Sequence, residues 1–194
     1  MKKLIIALAV VAMAVATQAA TYNWTWGVST SGQIMKPGTS GTSASDLLTS
    51  GTAYLFANLT ASQMTTIVND FAAGSYTASG YEQATSVATD GTITKVSWDD
   101  SRASGTSVDW YMIVTANIDG DDYLFISDSL TKSRQADGKN TKITFNALAD
   151  STSAVKLATD GYAGAGWYSA VPEPTSGLLM LLGMAGLALK RKRA

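Results

Sequence analysis

The sequence predicts a mainly β protein: an antiparallel sandwich or curled sheet with one short amphipathic helix, preceded by a signal peptide and followed by a transmembrane helix. Three observations carry this. Apolar residues alternate with polar ones at Tyr22–Val28 and Val108–Ile118, the period of a strand with one apolar face. A helical stripe is clear in one place, between Thr60 and Gly74. Apolar runs then occupy the two ends, Leu4–Ala16 and Ser176–Leu189. The divisions expected are 1–19, 20–170 and 171–194, with the middle one a single domain large enough to bury a core.

At the N-terminus, Lys2 and Lys3 precede the apolar run, and Thr17-Gln18-Ala19-Ala20 supplies small residues for a peptidase. This is the order of a secretory signal peptide, with cleavage expected after Ala19 by signal peptidase. The run is shorter than the ~20 residues a membrane-spanning helix needs.

The body then opens on a strand, in which Tyr22, Trp24, Trp26 and Val28 share a face. Ser29–Ser50, rich in Gly, Ser and Thr, reads as a long loop with a short helical turn near Asp46–Leu48, and Ala53–Ala57 reads as a strand. Thr60 and Gln63 have the spacing of a capping box, Leu59 can staple onto Met64, and Met64, Ile67, Val68 and Phe71 form one face of a helix ending at Gly74. Asp90-Gly91 is a turn and Thr92–Trp98 alternates. The strongest pattern places Val108, Trp110, Met112, Val114, Ala116 and Ile118 on one face. Trp110, Met112 and Val114, or their close neighbours, are expected to be buried against the helix bearing Ile67, Val68 and Phe71. Asp119-Gly120 signals a hairpin whose return strand is Tyr123–Ile126. Thr131–Asn140 reads as a loop, and Lys142–Phe145 and Gly166–Ala170 as the final strands.

Composition narrows the function. The chain has no histidine and no cysteine, which removes the commonest general base, the usual zinc ligand and any disulfide. From Ala20 to Val171 there are 8 Lys/Arg against 14 Asp/Glu, a net charge of −6 that argues against a grip on phosphate backbones. Nucleic acid is not an expected partner, no cofactor is expected, and the body reads as non-enzymatic. More than a quarter of it is Ser or Thr, residues suited to turns and strand surfaces.

The C-terminal segment has its own order. Pro172-Glu173-Pro174 comes first, then an apolar helix over 176–189, then Lys190-Arg191-Lys192-Arg193. By the positive-inside rule the cations stay in the cytoplasm, so the body lies across the inner membrane. At ~1.5 Å per residue the helix reaches about 21 Å, short of the ~30 Å hydrocarbon core. The two prolines lack amide donors and push Val171 and Glu173 away from helical angles, leaving an extended stretch that a protease can grip. This arrangement closely resembles the PEP-CTERM sorting domain recognised by exosortases in bacteria that make exopolysaccharide. The resemblance covers about the last two dozen residues. It implies recognition through Pro172, Glu173, Pro174, Arg191 and Arg193, an exosortase-type membrane protease as partner, an inner-membrane precursor, and a mature protein at the cell surface or in the extracellular matrix. Exopolysaccharide is a further candidate partner.

Within the body, Asp119, Asp121 and Asp122 are candidate oxygen ligands for calcium, although their spacing is not that of an EF-hand and a solvated hairpin turn is favoured. Asp99 and Asp100 are a candidate glycosidase pair, but adjacent strand residues point to opposite faces, so a second acid such as Glu82 or Asp109 would be needed. Trp24, Trp26 and Trp98 are candidate stacking platforms for sugars, the basis of an alternative reading as a carbohydrate-binding module. That alternative requires at least two tryptophans exposed on one face; core packing is the default.

Overall fold

The computed structural model describes residues 23–28, 32–39, 41, 43–136, 139–146 and 154–170. The signal peptide and the segment from 171 onward lie outside the described residues. Two sheets and one α-helix make three layers. The smaller sheet has the order β4 (Val96–Asp99), β1 (Asn23–Val28), β8 (Thr141–Phe145). The larger runs β3 (Gln83–Ser86), β2 (Thr52–Ala57), β5 (Ser107–Ile118), β6 (Asp121–Ile126), β10 (Gly166–Ser169), β9 (Lys156–Leu157), and β7 (Leu130–Ser133) pairs with the first part of β5.

The β assignment and the sandwich hold, but the sheets are mixed rather than antiparallel. β8 pairs parallel with β1, Trp24 opposite Thr141 through Val28 opposite Phe145, and β9 pairs parallel with β10. Parallel neighbours need a crossover rather than a tight turn, and here β2 to β7, five of them strands of the large sheet, lie between β1 and β8 in sequence. The stretch expected as a loop from Thr131 begins inside β7, whose one apolar residue, Leu130, packs against the sandwich core.

The helix α1 (Ala61–Ala72) forms as its local sequence dictates. Thr60 accepts from the Gln63 backbone N–H, and Gln63 Oε1 accepts from the Thr60 N–H at 2.9 Å. Met64, Val68 and Phe71 are its buried residues. They lie on Phe56, Ile113, Leu124, Ile126 and Tyr168 of the large sheet. Trp110, Met112 and Val114 face the other way, into the sandwich with Trp24, Trp26, Ile143 and Phe145. β5 is buried on both faces through Met112, Ile113 and Val114, so of the residues expected against the helix it is the close neighbour Ile113 that meets it, while Trp110, Met112 and Val114 do not.

The β5–β6 turn has Asp119 at φ 55° and Gly120 at φ 98°, the signs of the I′ turn that suits the twist of paired strands. The long connection from β1 to β2 is tied down by a bridge between Met35 and Leu47 and by a 3₁₀ turn at Ala44–Asp46. It also leans on the turn at Asp90-Gly91. The carbonyl of Gly91 (φ +72°) accepts from the Ile34 N–H, and a Cβ on Gly91 would sit 2.7 Å from the Ile34 carbonyl oxygen.

Candidate functional site

Four of the five tryptophans, Trp24, Trp26, Trp110 and Trp167, are fully buried, and Trp98 is half-buried. Trp24 and Trp26 are therefore core residues, and no pair of exposed tryptophans shares a face. Strand register gathers three of them. Trp24 lies opposite Trp98 across β1 and β4 and stacks on it with centroids 6.2 Å apart, while Trp110 meets Trp24 edge-on at 5.1 Å and Trp98 at 5.8 Å.

One side of this cluster is closed by charge. The Trp24 indole N–H donates to Asp100 Oδ2 at 2.8 Å. Arg102 donates from its backbone N–H to Asp100 Oδ1 and from its guanidinium to Asp100 Oδ2 at 2.8 Å, and its other amino group reaches Glu82 Oε1. The guanidinium carbon also sits 5.5 Å from the Trp110 ring centroid. Partial burial acts to raise the Asp100 carboxyl, but the Arg102 hydrogen bonds and charge, with the Trp24 indole, outweigh it and hold Asp100 below the usual carboxylate range.

The structure thus joins Glu82 and Asp100, but through a shared arginine. Both carboxylates accept from one cation, the arrangement of an inter-sheet clasp between the segment before β3 and the segment after β4. Asp99 is exposed, and Asp109 accepts from the Thr131 hydroxyl at the β5–β7 edge. The proximity of Glu82 to Arg102 was not readable from sequence. The signal available was the short Trp98-Asp99-Asp100-Ser101-Arg102 run, in which Asp100 and Arg102 form a local turn.

Asp119, Asp121 and Asp122 sit at the β5–β6 hairpin, all exposed, with Asp122 accepting from the Asn117 side-chain amide at 2.8 Å. Among the described residues no three His, Cys, Asp or Glu side chains converge on a metal-sized site.

A groove of about 570 Å³ opens on the helix side of the large sheet. Tyr54, Tyr76, Thr115, Asn117 and Asp122 line it together with Ala170, which directly follows β10. Tyr76 has a buried hydroxyl with no hydrogen-bond partner among the described residues, and burial followed by the neighbouring Tyr54 pushes its pKa well up.

The expected processing residues, Ala19, Pro172, Glu173, Pro174, Arg191 and Arg193, lie outside the described residues, as does the apolar segment 176–189. Among the described residues no helix is long and apolar enough to cross a membrane. No curated protein and no solved structure matches the chain. A family profile described as the PEP-CTERM protein-sorting motif matches residues 170–193, beginning at the residue after β10. The chain therefore carries a PEP-CTERM protein-sorting motif, which implies an exported protein with a membrane-anchored precursor processed by an exosortase-type protease.

Proposed function

We propose that this chain is the precursor of a non-enzymatic cell-surface or extracellular-matrix protein, cut at or near Pro172-Glu173-Pro174 and delivered where exopolysaccharide is made. The carrying observation is the position of the sorting motif: it starts at residue 170, where the last strand of the body has just ended at Ser169. Every described strand precedes the motif, which supports a cut within it that keeps the sandwich. The non-catalytic reading is supported by a chain without histidine or cysteine and by the engagement of Asp100 and Glu82 with Arg102. The burial of Trp24, Trp26, Trp110 and Trp167 favours this reading over a sugar-stacking module.

The test is replacement of Pro172, Glu173 and Pro174 by alanine, with fractionation and immunoblotting in a host that has the protease. The variant should accumulate as a longer, membrane-bound species while the wild type is shorter and released or surface-attached. Equal processing of the two would reduce the motif to a linker. Deleting Lys190–Arg193 should instead disturb topology, since the positive charges that hold the helix end in the cytoplasm are gone.

A further inference from the structure

We propose that the groove on the helix side of the large sheet binds a neutral saccharide chain, through tyrosine, hydroxyl and amide side chains rather than through the buried tryptophans. This deepens the reading of the body as a surface or matrix protein by giving it a ligand class, and it rests on that reading for where the ligand is met.

The groove exists because α1 stops short of the sheet's end. Phe71 and Gly74, at the end of the helix, form part of its wall, and the strands run on past them. Under the helix the sheet presents Ile113 and Ile126, but beyond it the same face turns polar. Register sets the rows. Thr52 of β2 lies opposite Thr115 of β5, and Asn117, two residues further, lies opposite Asp122 of β6. Tyr54 shares this face, opposite Ile113. From the Tyr54 row to the Asn117 row is about 14 Å at ~3.4 Å per residue, a strip with room for a chain rather than a spot for a single group. The volume, about 570 Å³, falls within the ~300–1,000 Å³ typical of clefts that take a ligand.

The strip carries what a sugar ring requires. A pyranose has hydroxyls at its rim that both donate and accept, and C–H groups on its faces that pack on aromatic rings. The hydroxyls of Thr52, Tyr54 and Thr115 are open to solvent and bonded to none of the described residues, and each can donate and accept. The Asn117 amide donates to Asp122 Oδ1 at 2.8 Å, which fixes the pair and leaves the Asn117 carbonyl and the second Asp122 oxygen as acceptors. Tyr81, 43% exposed, is the one exposed large hydrophobic side chain among the described residues. Its ring stands 5.1 Å from that of Tyr54 and 6.3 Å from that of Phe56, so a flat apolar surface is held in water at the Tyr54 end of the strip.

Other ligand classes fit less well. β2 and β5 are each paired on both sides, so the floor offers no free backbone edge to an extended peptide. Asp122 is the one charged residue of the lining, and it repels an anionic polymer.

The test uses the full chain, exported in a bacterium without the processing protease and solubilised in a zwitterionic detergent that has no sugar headgroup. It is titrated calorimetrically with cellohexaose, maltohexaose and xylohexaose, and with the acidic hexamer of galacturonic acid. At least one neutral hexamer should bind, and the acidic one at least about 10-fold more weakly. Tyr81→Ala and Asn117→Ala, both at exposed positions, should each weaken binding about 10-fold. Tyr54→Phe, which removes only a hydroxyl, should weaken it about 3-fold while the melting temperature stays within a few degrees of wild type. Failure of all three neutral hexamers to bind overturns the proposal. So does binding that survives both Tyr81→Ala and Asn117→Ala, which would place the sugar elsewhere, and so does equal binding of the acidic hexamer. Cleavage plays no part in the measurement, so the groove can prove empty while the motif is still processed, and the reverse.

Discussion

Ser127 and Met112 are paired through a side chain where a strand would use its backbone. The Ser127 N–H donates to the Met112 carbonyl at 2.9 Å, but the Met112 N–H donates to the Ser127 hydroxyl, also at 2.9 Å, and that hydroxyl in turn donates to the Asp128 carbonyl at 2.8 Å. The interruption ends β6 and lets the chain resume as β7 on the same edge of β5. Ser127 is 1% exposed, so water cannot replace it.

Ser127→Ala should therefore destabilise the domain by about 1–3 kcal/mol, the cost of a buried amide left without an acceptor. Chemical denaturation of the exported body would measure it. A change below a few tenths of a kcal/mol would mean that Met112 finds another acceptor.

Asp100 gives the fold a dependence on acid. Its folded pKa is depressed below the ordinary 3.8, so its contribution is fully present above the unfolded value and is lost as pH falls through the folded one. Arg102 stays charged throughout this range. Asp100→Asn should be less stable than wild type at neutral pH, and the gap should narrow below pH 3.8 as the wild-type carboxylate takes up its proton. Melting temperatures of both proteins from pH 7 to pH 2 would show it; a constant gap would place the effect in packing alone.

The two faces of β5 can be tested separately. Trp110→Ala removes a fully buried ring from between Trp24, Trp98 and Arg102 and should cost ~3–5 kcal/mol. Ile113→Ala, one layer away under α1, should cost ~2–5 kcal/mol. Native-state hydrogen exchange should show the second change loosening α1 far more than β1, and the first the reverse. Equal loosening of both would mean that the three layers behave as one unit.

What could be read in advance was local. The Thr60–Gln63 box and the Asp119-Gly120 turn are contained within four residues and two, so their chemistry is written in one place. β7 was hidden because Leu130–Ser133 has a single apolar side chain, too little for an alternating pattern. The parallel pairing of β1 with β8 joins residues more than a hundred positions apart, and nothing in either strand specifies that partner. The burial of Trp110 was readable, but the layer it meets was not, for a related reason. A period of two says which residues share a face, but in a protein of three layers it does not say which layer that face meets. The clasp at Arg102 joins Glu82 to Asp100 only after β3 and β4 have taken their places in different sheets.

The place of β10 also sets when folding can end. The strand latest in the body's sequence is an internal one, seated between β6 and β9 with Trp167 and Tyr168 fully buried. During vectorial export the long strand β5 and its hairpin emerge earlier, leaving the far edge of β6 unpaired until residues 166–169 arrive. The pairing of β10 joins Gly166 to Ile126 and that of β8 joins Thr141 to Trp24, non-local contacts that slow folding relative to a protein of local ones. The sandwich is thus closed only as the sorting segment follows it, so that completion of the fold and arrest in the membrane become nearly simultaneous events.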